Sequence, residues 1–369
     1  MLQNDVAKHV RIFAKHFPKT VNSISVERMS RYIRDVVKEK EKELAQLAAI
    51  TTEVQRLWSL RAHVQNMCKT NRGVPQRTPP WYAIRKLGLT ASDLAQANDE
   101  GDFGNRKQLL LKKLGVVPDN MSAFGSEIMG HGTMFEDMAL RGYQARNDDV
   151  PVHDFGLLIH KDIQRFGASP DGITEWGRMV EIKCPPKRVM NGTIKRQYLI
   201  QMQAQMAVTG LTETDFVEAK IEVLNTAEFL ALPDEPTTDA GVGLHFVKDD
   251  VAEYAFSPNH MTPKEAHAWA MAEGERRQRE DPDLRLVRIA PWQLTKMDIM
   301  FVPFDAEMWA TYLPVIHSFL DDMSAGAERI ALGQPPWDGY AKKEPKEYKR
   351  KRPKIDFEED SDDACNGAC

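Results

Sequence analysis

The stretch "GASPDGITEWGRMVEIKCPP", residues 167–186, decides the fold expected for this chain. Its second half reads as a strand, in which successive side chains point to opposite faces. Glu181 and Lys183 then share one face, while the other face carries three apolar side chains: Val180, Ile182 and Cys184. A carboxylate and an ammonium together on one face of an otherwise apolar strand indicate a buried polar site.

A turn precedes this strand and carries a second carboxylate. Asp171 follows Ser-Pro and is followed by Gly172, which relaxes the backbone at a bend. A hairpin here would bring Asp171 and Glu181 into one pocket, where two like charges repel unless a cation lies between them. Two acids and a lysine near a turn are more often an exposed salt bridge. Because Glu181 lies within an otherwise apolar strand, the sequence favours a cation-binding pocket over an exposed salt bridge.

The residue types of this pocket indicate the ion. Oxygen ligands without Cys or His select a hard cation, so the pattern predicts Mg²⁺, with Mn²⁺ as a possible substitute. Such an ion polarises a phosphoryl oxygen and lowers the pKa of its bound water. Lys183 can hold that water or stabilise charge on the phosphate. Glu136, on the preceding predicted helix "GTMFEDMALRGYQARN", supplies a third carboxylate for the same site or for a second ion.

The composition of the 369-residue chain is that of an ordinary globular protein, with 42% hydrophobic and 28% charged residues. Its net charge of −5 means that nucleic-acid binding must rest on local basic patches. The 4 cysteines suit a reducing compartment and give no disulfide framework or metal-ligand spacing. No apolar stretch approaches the ~18 residues of a membrane span, and the N-terminus lacks an apolar signal core, so we expect an intracellular protein.

Three regions are expected along the chain. Residues 1–75 read as a helical N-terminal extension, a helical hairpin or a short coiled coil, with a role in packing, oligomerisation or direct DNA contact. Residues 76–335 read as one mixed domain with an irregular, proline-dotted insertion at 225–285. Residues 336–369 read as a disordered tail, basic and then acidic, whose "KRKRPK" fits a nuclear-import signal or a solubilising extension.

The middle region predicts an α/β fold with a mixed central sheet flanked by helices. The strand-like segments "GLLIH", "RFGAS" and "MVEIKC" follow a helix and are joined by tight turns. A further helix, "IKRQYLIQMQAQMAVTG", leads to a fourth strand, "DFVEAKIEV". Alternation of this kind is typical of α/β cores.

The pair "SPDG" and "EIKCP" resembles the motifs of the lambda-exonuclease-like, or YqaJ-like viral recombinase, branch of the PD-(D/E)xK nucleases. Other matching segments are "WYAIRKLGLTAS", "GTMFEDMA", "YLIQMQAQMAVTG" and "WQLTKMDIMFVPFDAEMW". The resemblance runs from about Trp81 to about Met323 and implies a restriction-endonuclease-like core. It leaves out the N-terminal extension and the charged tail.

The resemblance also implies roles for individual residues. Asp171 and Glu181 look like the metal-binding carboxylates, and the backbone carbonyl of Ile182 looks like a further ligand. Lys183 matches the catalytic lysine of the family, and Glu136 matches its helix acid, close to the metal.

Four more residues are implied in the same way. Gln201 matches a glutamine that lies close to the active centre of the family. Arg85, Ser92 and Ser169 fall where the phage enzyme engages the 5′-phosphate of the strand being digested. This role is physically sensible, because Arg offers a planar fork to phosphate oxygens and a hydroxyl adds a neutral donor.

The function implied by the resemblance is a Mg²⁺-dependent deoxyribonuclease, a 5′-to-3′ exonuclease on duplex ends that acts in viral DNA recombination, repair or genome processing. The alternatives are an endonuclease that nicks or trims branches, and a catalytically silent DNA-binding scaffold. The expected partners are double-stranded DNA ends, a single-strand-annealing or single-strand-binding protein, and further copies of the chain in a ring. The host nucleus or a viral replication site is the expected location.

Overall fold

The computed structural model describes residues 26–102, 104–117, 123–186, 189–249 and 251–340. Within these ranges the chain forms nine α-helices, named in order along the chain. They are α1 (Val26–Thr70), α2 (Pro79–Leu87), α3 (Leu94–Ala97), α4 (Arg106–Lys113), α5 (Ala123–Ala145), α6 (Arg196–Thr209), α7 (Thr226–Leu230), α8 (Pro263–Glu280) and α9 (Ala306–Ala331). A 3₁₀ turn over Ala91–Asp93 precedes α3.

The same ranges contain ten strands, which pair into two sheets. They are β1 (Leu89–Thr90), β2 (Val152–His153), β3 (Leu158–Ile159), β4 (Phe166–Ala168), β5 (Gly172–Thr174), β6 (Met179–Lys183), β7 (Glu213–Val223), β8 (Ala240–Lys248), β9 (Val251–Phe256) and β10 (Arg285–Pro303). The larger sheet has the order β2-β5-β6-β7-β10-β8-β9, and the smaller has the order β1-β4-β3. Because β6 and β7 are parallel while β5 and β6 are antiparallel, the predicted mixed central sheet is confirmed.

Strands β5 and β6 form a tight hairpin. The Thr174 N–H donates to the carbonyl of Arg178 at 2.8 Å, and the Gly177 N–H donates to the carbonyl of Thr174 at 3.0 Å. Gly177 has a φ of 82°, a left-handed conformation that glycine adopts without strain. The register places Gly172 opposite Val180. Continued by one residue, the same register sets Asp171 opposite Glu181.

Strand β6 divides its side chains between two cores, as its alternation predicts. Val180, Ile182 and Cys184 are buried in a cluster that includes Met138 of α5. Met179, on the opposite face, is buried in a second cluster with residues of α6 and β7. Glu181 and Lys183 therefore face the side of the sheet that α6 covers, which places the polar pair against a helix.

The N-terminal helix differs from the expected hairpin. Within Val26–Thr70 the chain is one continuous helix of 45 residues, so the alternative of a helical hairpin is wrong over this range. The physical reason is that the segment contains no Gly or Pro to interrupt the hydrogen-bond ladder. Its C-terminal part is anchored, since Val64 is fully buried, whereas Leu47 and Ile50 are exposed. Residues 1–25 lie outside the described residues.

The region expected to be an irregular insertion at 225–285 is ordered, so that prediction is wrong. It contains α7, β8, β9 and α8, which share a core cluster that includes Phe229, Leu244 and Ala270. Two capping boxes begin the helices, with Asn225 and Thr262 at the N-caps. These boxes are helix-start signals that the prolines and charges of the region obscured.

Two of the predicted strands exist but lie elsewhere. The segments "GLLIH" and "RFGAS" contain β3 and β4, which lie in the smaller sheet rather than in the central one, with β4 paired to both β1 and β3. The expectation that they extend the central sheet is therefore wrong. Gly88 ends α2 and lets the chain approach β4, since a Cβ there would lie 2.3 Å from the carbonyl oxygen of Arg165.

The chain divides into two compact units, Met1–Ser324 and Ala325–Cys369. In the second unit Arg329 pairs with Asp338 at 2.8 Å. The domain bounds 1–75, 76–335 and 336–369 stay predictions, and residues 341–369 of the charged tail lie outside the described residues. Among the helices that the structure describes, none combines the length and the apolar character needed to cross a membrane.

Candidate active site

Glu181 is the buried centre of the candidate site. Its side chain is fully buried, and both carboxylate oxygens accept hydrogen bonds. Oε1 accepts from the Lys183 ammonium and from Gln201 Nε2, the latter at 2.7 Å. Oε2 accepts from Gln205 Nε2 at 2.7 Å. A buried carboxylate is costly unless it is paired and hydrogen-bonded, and here both conditions are met.

Asp171 reaches the same place from the other strand of the hairpin. Its Oδ2 accepts a hydrogen bond of 2.7 Å from the N–H of Ile182. Burial raises the pKa of Asp171 well above its ordinary value, and the charges of Glu181 and Glu136 raise it further. The hairpin therefore brings the two predicted carboxylates together, and the arrangement favours a proton or a cation at Asp171.

Glu136 of α5 is the third acid. Its Oε2 accepts a hydrogen bond of 2.8 Å from Arg77 Nη2. The pKa of Glu136 is raised by burial and by the charge of Glu181, while Arg77 and Lys183 act in the opposite direction. The carboxylates of Glu136, Asp171 and Glu181 are thus close enough to repel one another.

Lys183 keeps its positive charge in this setting. Burial by itself lowers the pKa of a lysine, but the carboxylates of Glu181 and Asp171 outweigh that effect and hold the pKa above its ordinary value. The ammonium also lies 5.4 Å from the ring centre of Tyr198. Lys183 is therefore a fixed cation beside the acids and cannot act as a base at neutral pH.

The oxygen donors of the site suit a hard divalent cation. The N–H of Ile182 points to Asp171, and in a strand the carbonyl of a residue points to the same side as its N–H. The Ile182 carbonyl then joins the carboxylates of Asp171 and Glu181 on one edge. In the described ranges no group of three or more Asp, Glu, His or Cys side chains is arranged to hold a metal. Two carboxylates and a carbonyl remain, which is a donor set that Mg²⁺ accepts together with water.

A cavity of about 150 Å³ joins this acid cluster to the predicted phosphate-binding residues. Its lining residues come from five segments of the chain. They are Gln76, Trp81, Arg85, Thr90, Ala91, Ser92, Ser169, Asp171, Gln201 and Gln205. Arg85, Ser92, Ser169, Asp171 and Gln201, all predicted as site residues, therefore meet in one cavity.

The side of the cavity that was predicted to bind phosphate is built around Arg85 of α2. The guanidinium lies 4.3 Å from the ring centre of Trp81, and its Nη2 donates to Ser92 Oγ at 3.1 Å. Trp81 in turn donates from Nε1 to Ser169 Oγ at 3.0 Å. The planar guanidinium is held by an aromatic face and a hydroxyl, which leaves a donor-rich surface suited to phosphate oxygens.

A partly buried ion pair behind Arg85 was not predicted. Lys113 Nζ lies 2.7 Å from Asp93 Oδ2 and also donates to the carbonyl of Arg85 at 2.7 Å. Thr90 Oγ1 donates to the same Asp93 oxygen at 2.6 Å. Burial acts to raise the pKa of Asp93, but Lys113 and Arg85 hold it below its ordinary value. Asp93, within "LTASDLAQAN", was the residue that could have indicated this pair, but the segment was interpreted only as the start of a helix.

Two glutamines of the site were also missed. Gln205 lies one helical turn after Gln201 on the same face of α6, and this spacing could have identified it. Gln76 donates from Nε2 to the carbonyls of Phe155 and Pro170, at 3.0 and 3.1 Å. Gln76 thereby holds the backbone just before Asp171 in place. No short sequence pattern predicts this long-range contact.

Cys184 has no catalytic environment. Its side chain is buried, and burial raises the pKa of its thiol to about 12. A protonated, buried thiol is neither a nucleophile nor a metal ligand at neutral pH. Cys184 belongs to the apolar core on the far side of β6.

The comparisons with known proteins agree with the motifs. Residues 80–212 match the family described as YqaJ-like viral recombinase domain. This match agrees with the sequence resemblance, and the matched stretch contains both acids of the hairpin, Lys183 and the residues predicted to bind phosphate.

Individual relatives are more distant. Over 288 residues the chain is 25% identical to an uncharacterized protein of Acanthamoeba polyphaga mimivirus. The alignment covers 67% of this chain and 52% of the mimivirus protein. The chain thus spans about half the length of this curated relative.

Solved structures add a weak similarity. An alkaline exonuclease of Laribacter hongkongensis gives a TM-score of 0.43 at 22% identity, covering 69% of this chain and 97% of that one. The structure of the same enzyme in complex with dAMP gives a TM-score of 0.42 at 21% identity, and the match again covers 69% of this chain and 97% of that one. Similarity at this level does not establish a shared activity.

Proposed function

We propose that the protein is a Mg²⁺-dependent deoxyribonuclease that digests duplex DNA from 5′-phosphorylated ends in the 5′-to-3′ direction. The observation that supports this proposal best is the single cavity in which Asp171 lies with Arg85, Ser92 and Ser169. A terminal phosphate held by Arg85 would place the first phosphodiester bonds of that strand close to the acids. The YqaJ-like match over residues 80–212 adds support for a role in recombination.

The proposed roles follow from the contacts. Asp171, Glu181 and the Ile182 carbonyl would hold Mg²⁺, with Glu136 nearby as a water-mediated ligand or as a ligand of a second ion. When bound, the ion supplies a polarised phosphoryl oxygen and a water of lowered pKa. Lys183, fixed as an ammonium beside Glu181, would hold the attacking water or stabilise the growing negative charge on the phosphate.

The test is product analysis on end-labelled DNA. Linear duplex with a 5′-phosphate, the same duplex with a 5′-hydroxyl, and covalently closed circular duplex are incubated with Mg²⁺ or with a chelator. We expect stepwise release of short products from the 5′-phosphorylated linear duplex, in Mg²⁺ alone. Equal cutting of circular DNA would instead support an endonuclease, and no cutting of any substrate in Mg²⁺ or Mn²⁺ would support a silent scaffold.

The wider setting is also a proposal. A nuclease of this kind generates single strands, so a single-strand-binding or annealing protein is the partner that its product would require, and a ring of several copies would keep it on the DNA. The "KRKRPK" cluster supports a location in a host nucleus or at a viral replication site. Imaging of the full chain beside a variant with these basic residues neutralised tests that location.

A further inference from the structure

Helix α6 carries two buried glutamines that are satisfied to different degrees. Gln203 is 3% exposed, and both ends of its amide are bonded. Its Nε2 donates to the carbonyl of Pro303 at 2.9 Å, and its Oε1 accepts from the N–H of Asp305 at 2.7 Å. Gln205 is 1% exposed, yet its Oε1 has no hydrogen-bond partner among the described residues.

The orientation of the Gln205 amide is dictated by Glu181. Nε2 donates to Glu181 Oε2 at 2.7 Å and approaches the carbonyl of Ser169 at 3.5 Å. Turning the amide around would set its oxygen against two acceptors, one of them a carboxylate, and would remove both contacts. The unpartnered Oε1 is thus a consequence of holding Glu181.

An apolar residue of the same size would avoid this orphaned acceptor. Buried polar groups without partners are costly and are found at few positions in native proteins, commonly at sites of function. Gln205 also lines the cavity that contains Asp171 and Arg85. These observations indicate that the glutamine serves the site.

We propose that Gln205 is a positioning residue for Glu181, an inference that rests on the proposed nuclease function. By holding Oε2, it fixes the carboxylate so that Oε1 is the oxygen presented to the cation. In the metal-free chain Oε1 is occupied by Lys183 and Gln201, both of which are donors that a cation can replace. Gln205 therefore sets how tightly the ion binds without touching DNA.

The test compares Gln205→Met with Gln203→Met. Metal binding is measured by titrating Mn²⁺ into the DNA-free protein and following the free ion by electron paramagnetic resonance, and the Tm is measured in chelator. Loss of a side chain that orients a metal ligand typically weakens metal binding about 10–100-fold. We expect Gln205→Met to weaken Mn²⁺ binding by at least about tenfold, and Gln203→Met to lower the Tm with unchanged Mn²⁺ affinity.

Gln205→Asn adds a second arm, because it keeps the amide but shortens the side chain and so withdraws the donor from Glu181. We expect it to weaken Mn²⁺ binding as the Met variant does. Wild-type affinity in both Gln205 variants would overturn the inference while leaving the nuclease proposal intact. If the wild-type protein binds no Mn²⁺ and cuts no DNA, the nuclease proposal itself fails, and the inference fails with it.

Discussion

The two sides of the cavity are built on different physical principles. On the acid side, Glu181 is fully buried and its charge is neutralised by groups of the chain itself. On the phosphate side, Arg85 is held by an aromatic ring and a hydroxyl and keeps its charge for a ligand. The acid side needs every hydrogen-bond partner of its buried carboxylate, whereas the phosphate side can lose one donor and still bind a phosphate. We therefore expect all-or-none effects on one side and graded effects on the other.

The largest effect is expected from Lys183→Ala on the acid side. Loss of a charged group that acts on the transition state costs about 10²–10⁴ in rate. Cleavage should fall about 1,000-fold, while binding of duplex ends and the preference for a 5′-phosphate remain. Single-turnover digestion and a DNA-binding titration measure the two effects. The control is Lys220→Ala on β7, a lysine paired with Glu222 at the surface. Undiminished cleavage by Lys183→Ala would remove this residue from the chemistry.

Arg85→Ala should produce the reverse pattern. A hydrogen bond to a charged group contributes about 1.5–3 kcal/mol, so the ratio of rates on 5′-phosphate and 5′-hydroxyl ends should fall about tenfold or more. Mn²⁺ affinity in the absence of DNA should not change. The neighbouring Lys86→Ala, which alters α2 outside the cavity lining, is the matched control. Equal loss on both kinds of end would assign Arg85 to general DNA binding or to folding.

A smaller effect, on stability, is expected from Asp171→Asn in the metal-free protein. Burial and the neighbouring acids raise the pKa of Asp171, so the folded state binds this proton more tightly than the unfolded state does. Its contribution to stability is present below the unfolded pKa of about 3.9 and is lost as the pH rises through the folded pKa. In chelator, the Tm of the wild type should therefore fall more than that of Asp171→Asn as the pH is raised from about 4 to about 8. Parallel Tm curves for the two proteins would contradict the raised pKa.

Deletion of residues 341–369 should have the least effect. The segment is rich in charge and cannot form a core of its own, so turnover on linear duplex and the preference for 5′-phosphate should match those of the full chain. Steady-state assays at low and physiological salt provide the measurement. A truncated protein that loses turnover would show that the tail contributes to DNA binding or catalysis.

The arrangement of the acid side could be predicted from the sequence, because it depends on the alternation of side chains along one strand and on one short turn. Alternation along β6 placed Glu181 and Lys183 together, and Gly177 closed a hairpin short enough to set Asp171 beside them. The packing of Ile182 against α5 followed from the same alternation.

What the sequence could not predict depends on contacts between distant segments. The hydrogen bond from Gln76 to Pro170 joins residues 94 positions apart. The ion pair of Lys113 with Asp93 lies behind Arg85, and no sequence motif marks it. The region 225–285 was misread because its Gly, Pro and charged residues hide two capping boxes. For Val26–Thr70, periodicity alone left a helical hairpin and a coiled coil open, and the continuous helix excludes only the hairpin.

The hairpin turn has a consequence for how this chain can vary. Gly177 leaves no room for a side chain, since a Cβ there would lie 2.8 Å from the Cβ of Leu60. Inserting or deleting one residue between Thr174 and Arg178 would slip the pairing and set an aliphatic side chain, instead of Glu181, across from Asp171. We therefore expect homologous chains to keep the length of this turn and a glycine at the position of Gly177.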